Sequence, residues 1–183
     1  MKRYLTFSLL AVAFVSMLSF SGCILDALNS LTQNIPITQE FNITSTVPPT
    51  SYSKSETIDL SNSSTYQRYQ DKIQNISFLT AEFRTKSVNP PDLSGNVTIT
   101  LKDGNGNLLF TYLLGNIKPS DYQNTPYQLK LNSAQIGFMN AYLATLSNRV
   151  FQATIQIDNI SSSTLTYNLD AVIDIVFTMK TKL

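Results

Sequence analysis

The longest periodic run in the chain lies near its C-terminus. Leu165, Tyr167, Leu169, Ala171, Ile173, Ile175, Phe177 and Met179 occupy odd positions, while Thr166, Asn168, Asp170, Asp174, Thr178 and Lys180 occupy even ones. Successive side chains of a strand point to opposite faces. This alternation therefore predicts one long strand, or two broken by a bulge, packed by a single apolar face on a core. Before it, Phe151, Ala153, Ile155 and Ile157 alternate with Gln152, Thr154 and Gln156, and the polar loop DNISSS joins the two runs. In the middle of the chain, GNVTITLKDGNGNLLFTYLL alternates through Val97, Ile99 and Leu101 towards Asp103-Gly104-Asn105-Gly106, then away from it through Leu108, Phe110 and Tyr112. Glycine and asparagine accept the positive φ of tight turns, so the segment predicts a hairpin of strands 96–102 and 107–114.

Nearer the N-terminus, Ile37, Phe41, Ile43 and Val47 alternate with Thr38, Glu40, Asn42, Thr44 and Thr46, a half-buried strand that Pro48-Pro49 ends. A polar connection leads to Ser63-Ser64-Thr65, behind which Tyr66, Tyr69 and Ile73 stand at helical spacing and predict a short capped helix. Residues 73–85 carry apolar side chains on both faces, as a central strand does, and 126–131 suit another short strand. In NSAQIGFMNAYLATLSN, Ile136, Met139, Leu143 and Leu146 share one helical face, with Asn132 or Ser133 as N-cap and Asn148 past the end. A helix near 133–147 of about four turns follows. Leu25, Leu28 and Leu31 are also helically spaced, which fits either a turn of helix or a mobile tether. About seven or eight strands with one helix as lid or connector give a mainly β protein, an antiparallel β-sandwich. The alternative is a sheet wrapped on the helix, as in lipid-carrier folds.

Composition narrows the chemistry. There is no histidine and one cysteine in 183 residues, so Ser-His-Asp and Cys-His machinery and His- or Cys-ligated zinc sites are excluded. Carboxylates alone remain. Asp170 and Asp174 share a strand face but lie roughly 13 Å apart at about 3.3 Å per residue, too far for a retaining or inverting glycosidase pair. They read, like Asp59 and Glu82, as solvated strand charges. Asp103, Asn105 and Asn107 alternate like the first ligands of an EF-hand loop, but Leu108 stands where the glycine belongs and Leu114 where the bidentate glutamate belongs, so the hairpin turn is preferred. Five glycosylation triplets, at Asn42, Asn62, Asn75, Asn96 and Asn159, read as a product of Asn-rich composition. No enzyme, cofactor or metal is expected.

The first 23 residues carry the strongest functional signal. Lys2 and Arg3 precede an apolar run from Leu5 to Phe20, the layout of a signal peptide rather than a spanning helix, since Asp26 follows too soon. Ordinary signal-peptidase cleavage before Gly22 is one reading of Ser19-Phe20-Ser21. The other is that Phe20-Ser21-Gly22-Cys23 resembles the lipobox of bacterial lipoproteins, with Phe20 where leucine is usual. The resemblance implies that Cys23 becomes the lipid-modified (diacylglycerol and palmitate-type acyl) first residue of the mature chain, and that Ile24 after it suits passage to the outer membrane. A single cysteine also forms no internal disulfide, and a thioether-linked lipid removes an exposed thiol. The organisation expected is a signal peptide over 1–22, a lipid-anchored tether over 23–35 and one β-rich domain over 36–183.

Setting Lys2 and Arg3 aside leaves 11 basic residues against 12 acidic, and no basic stripe exists to follow phosphates, so nucleic acid is not expected as a partner. Two functions fit. One is a cell-envelope lipoprotein that displays a non-catalytic binding or structural module on a membrane and meets a protein or glycan. The other is a carrier of an apolar ligand, such as a lipid, held between helix and sheet. The hairpin suggests where a partner is met. Its strands end side by side near Gly95 and Gly115, so TKSVNPPDLSG and GNIKPSDYQNTPY emerge at one edge. They gather Pro90, Pro91, Asp92, Lys118, Asp121, Tyr122 and Tyr127, where tyrosine gives contact area and charge gives orientation.

Overall fold

A computed structural model describes residues 30–45 and 51–183. The signal segment 1–22, Cys23, the tether up to residue 29, and Val47 with Pro48-Pro49 lie outside the described residues.

The alternating stretches form eight strands: β1 (Ser30–Ser45), β2 (Ser51–Asp59), β3 (Ile73–Asn89), β4 (Ser94–Asp103), β5 (Leu108–Ile117), β6 (Tyr127–Gln128), β7 (Val150–Ser161) and β8 (Tyr167–Lys182). They make two four-stranded antiparallel sheets, ordered β1-β8-β3-β6 and β2-β7-β4-β5. First pairs with last, second with seventh, third with sixth and fourth with fifth, as when one long antiparallel ribbon is rolled into two layers. That is the jelly-roll form of a β-sandwich. The core lies between the layers. It is built from the alternate apolar positions, including Phe41, Phe83, Ile99, Ile155 and Phe177, and Phe151 of one sheet stacks on Phe177 of the other at 5.6 Å.

The hairpin turn forms as expected, with Gly106 at φ 87° and the Asp103 carboxylate accepting the N–H groups of Asn105 and Asn107 at 2.8 Å. Gly95 is required by closeness rather than by φ, since a Cβ there would meet the Asp158 carbonyl at 2.9 Å.

Several boundaries differ from the sequence reading. Strand β1 begins at Ser30, so residues 30–35 are strand rather than tether; Leu31 pairs with Thr181 and Ile35 is fully buried. Strand β2 falls in the stretch read as a polar connection. Its inward positions are Tyr52, Lys54, Glu56 and Ile58, and the two charges hide the alternation. An edge strand carries inward charge where a core strand would not. Here Lys54 Nζ pairs with Glu56 at 3.3 Å and donates to the Asn42 carbonyl of β1 at 3.3 Å. Strand β6 spans two residues instead of 126–131. Leu165 precedes β8 and is 70% exposed.

Two helices accompany the sheets. Helix α1 (Ser64–Tyr69) sits between single 3-10 turns at 60–62 and 70–72 and buries Tyr66. Helix α2 (Ser133–Leu143) starts on a capping box of Asn132 and Gln135 and runs three turns rather than four. Met139 and Leu143 are fully buried, whereas Leu146 lies past the helix and is 39% exposed. Asn140 Oδ1 accepts the Phe78 N–H of β3 at 2.8 Å, and Gln135 Nε2 donates to the Thr111 carbonyl of β5 at 3.0 Å. One side of the sandwich is thus closed by a helix whose amide side chains satisfy backbone groups of both sheets. This arrangement replaces the alternative of a single sheet wrapped on a helix.

Strand register within each sheet, with the short connections 90–93 and 162–166 between the sheets, fixes two ends. At one lie Ser30, Ile73 and Lys182, with Asp59, the 103–106 turn and Val150. At the other lie Ser45, Ser51, Asn89, Ser94, Ile117, Ser161 and Tyr167.

Candidate functional site

The two connections predicted to meet do meet, at the Ser45 end. Ser120 Oγ donates to the Pro91 carbonyl at 3.0 Å, and the Asn116 N–H donates to Asn96 Oδ1 at 2.7 Å. A third segment joins them. Asp92 accepts the Ser163 N–H at 2.9 Å and the Ser163 hydroxyl at 3.0 Å, so its carboxylate ties loop 162–166 to the rim. The exposed face of this rim carries Pro91, Asp92, Lys118 and Asp121 from the expected set, together with Leu165. The sequence reading missed the third loop because Leu165 continues the odd-position pattern of β8; the serine run before it was the available signal.

The remaining expected residues do structural work. Pro90 is buried behind the cis Asn89–Pro90 bond. Tyr122 is half-buried and edge-on to Phe83 at 5.9 Å and to Tyr127 at 5.7 Å. Tyr127 pairs with Phe83 in the middle of β3, about 20 Å of strand from the rim, so it is not a rim residue. Its hydroxyl meets that of Tyr112 at 3.3 Å, and this hydrogen bond raises its pKa above the ordinary tyrosine value. The Tyr112, Tyr122 and Tyr127 rings thus pack together on the core beside β6.

Other carboxylates are engaged on the outer face of the β1-β8-β3 layer. Asp174 takes Arg84 Nε at 2.6 Å and Thr38 Oγ1 at 2.6 Å, Asp170 takes the Ser87 hydroxyl, and Lys86 bridges to Glu40 at 3.1 Å. Asp103, only 7% exposed, takes three donors at 2.8 Å. Burial opposes its charge, but the Asn107 side chain and the N–H groups of Asn107, Asn105 and Gly106 outweigh that and hold its pKa below the ordinary carboxylate value. Among the described residues no three acidic side chains gather as a metal site, and no helix is long and apolar enough to cross a membrane.

Two surface clefts lie away from the rim. One of about 270 Å³ opens between Pro36–Gln39 of β1 and Thr57–Asp59 of β2. The other, of about 360 Å³, lies beside the 103–106 turn and Val150. Neither lies between α2 and the sheets, where Met139 and Leu143 are fully buried.

No family model and no curated protein matches the chain. Among solved structures it is similar to Desmodium yellow mottle tymovirus, at 12% identity and TM-score 0.36, over 82% of this chain and 84% of that one. It is also similar to the BFDV capsid protein, at 8% identity and TM-score 0.40, over 81% of this chain and 99% of that one. A third likeness is to the VP2 subviral particle of infectious bursal disease virus, at 10% identity and TM-score 0.39, over 83% of this chain but 37% of that one. These likenesses concern the fold alone.

Proposed function

We propose that the chain is an exported cell-envelope lipoprotein, anchored through lipid on Cys23, most consistent with the outer membrane, and that its sandwich is a non-catalytic binding or structural module. The observation that carries this is Phe20-Ser21-Gly22-Cys23, placed directly behind a charged start and an apolar run. The geometry of the domain supports display. Seven residue steps separate Cys23 from Ser30, at most about 25 Å of chain. From Ser30, β1 runs 15 steps to Ser45, about 50 Å, so the rim of Pro91, Asp92, Lys118, Asp121 and Leu165 stands at the end remote from the anchor. A partner outside the membrane would be met there.

The full burial of Met139 and Leu143 beneath α2 favours the module over a carrier of apolar ligand. Membrane fractionation tests the proposal. Cys23→Ser is expected to move the protein from the membrane pellet to the soluble fraction or to leave an uncleaved precursor. Unchanged membrane partition of a processed Cys23→Ser chain would overturn it.

A further inference from the structure

The two ends of the sandwich differ in charge, and the difference follows from which residues the register gathers. At the Ser30 end stand Arg68 and Lys72 of the α1 segment, Lys102 beside the hairpin turn, Arg149 before β7, and Lys180 and Lys182 at the close of β8. The acids of that end are Asp59, Asp71 and Asp103. Two of them are already engaged: Asp59 accepts the Ser61 N–H at 2.8 Å, and Asp103 is held within its turn. At the rim end stand Asp92, Asp121, Asp158 and Asp170 with Lys118, while Lys54 and Lys86, at the same level as Asp170, are paired with Glu56 and Glu40. A chain with a net charge near zero is therefore basic at one end and acidic at the other.

The basic end also leaves apolar side chains in solvent, as the rim does at Leu165. Leu108 is 56% exposed just after the turn, Leu146 is 39% exposed before Arg149, and Leu183 is 66% exposed beyond Lys182. Arg68, Lys72, Arg149, Lys180 and Lys182 are exposed, and among the described residues none of them is in an ion pair. Arg149 instead lies over the Tyr66 ring at 6.0 Å and reaches its hydroxyl at 3.5 Å, which holds one cation at that end in a fixed place.

We infer that the Ser30 end of the sandwich is a docking face for an anionic lipid surface. Cations set among exposed leucines suit a bilayer interface, where the ammonium and guanidinium groups meet headgroup phosphates and the leucines enter the acyl boundary. The acidic rim is repelled by the same surface and points away from it. The inference shares the orientation argued above for an anchored chain, and a lipid on Cys23 would hold this same end within about 25 Å of the bilayer. The contact itself needs no lipid on the chain, so it can be tested without one.

The eight strands and the core of the described residues lie within 30–183, so the chain starting at position 23 with Cys23→Ser keeps them all. Its partition is measured on vesicles of phosphatidylcholine alone and of phosphatidylcholine with phosphatidylglycerol. Association is expected only with the second, and it is expected to weaken as salt is raised. Lys72→Gln and Lys182→Gln should each lower partition about fivefold, and the pair about 25-fold, while Lys118→Gln at the rim leaves it unchanged. Melting curves confirm that these surface variants are folded. No association with the anionic vesicles, equal association with both kinds, or an equal loss with Lys118→Gln would each overturn the inference. Failure of the anchor reading would show separately, as absence of lipid on the wild-type N-terminal peptide.

Discussion

Truncating Leu143 to alanine tests whether α2 is part of the core or a lid over ligand space. Leu143 is fully buried on the face that α2 presents to the sheets, beside Met139. Removing its three outer carbons forfeits about 2.4 kcal/mol of transfer free energy at about 0.8 kcal/mol per buried carbon. The hole left behind raises the cost, because the helix is held on both sides by Asn140 to Phe78 and Gln135 to Thr111 and has little freedom to collapse inward. A loss of about 2–5 kcal/mol is expected. At about 2–4 °C per kcal/mol for a domain of this size, the melting temperature falls by about 4–20 °C. Leu146→Ala is the matched control: the residue lies past the helix and is partly exposed, so its loss should stay within about 0.5 kcal/mol. Urea titrations of wild type and both variants give the values directly. A Leu143→Ala cost below about 1 kcal/mol, with altered uptake of an apolar probe, would refute the reasoning and restore the carrier.

Tyr122→Ala should destabilise the domain by about 2–4 kcal/mol in the same titration, since the ring packs edge-on against Phe83 and Tyr127 rather than standing free on the rim. Asp121→Ala with Lys118→Ala, both exposed, should leave melting nearly unchanged while weakening capture of whatever the rim binds. Asp92→Ala should release loop 162–166, seen as faster amide exchange at Ser163 with little change elsewhere. The Asp103 carboxyl lies below its ordinary pKa of 3.8, so its stabilising contribution is full above that value and is lost as pH falls through the folded-state value. The stability gap between wild type and Asp103→Asn should therefore be widest near neutral pH and close in acid; a gap independent of pH would contradict the hydrogen-bond account of the turn.

Alternation made most of the sandwich legible, because one face of nearly every long strand packs on the other sheet. It located β1, β4, β5, β7 and β8 and the hairpin turn, while apolar side chains on both faces marked β3. It failed where burial does not decide the residue. In β2 the inward positions at the sheet edge hold Lys54 and Glu56, so the period is there without its hydrophobic sign. In 165–167 the pattern runs on although the strand has not begun, which placed Leu165 in the core instead of on the rim. The helical spacing of Leu146 likewise outlasts the helix, which ends at Leu143. The roll of the ribbon depends on pairings between residues more than a hundred positions apart, such as Ile37 with Ile175, and no local pattern specifies them. The rim was half legible for a related reason. Hairpin geometry brings its two connections together, whereas the Asp92–Ser163 tie and the packing of Tyr122 are tertiary contacts that composition does not announce.

The most direct measurement of the central claim is the mass of the N-terminal peptide of the mature protein, isolated from its native membrane. The account predicts a peptide that begins at Cys23 and carries a thioether-linked diacylglycerol, with or without a further acyl chain on its amino group. A peptide beginning at Gly22 with an unmodified Cys23 thiol would contradict it.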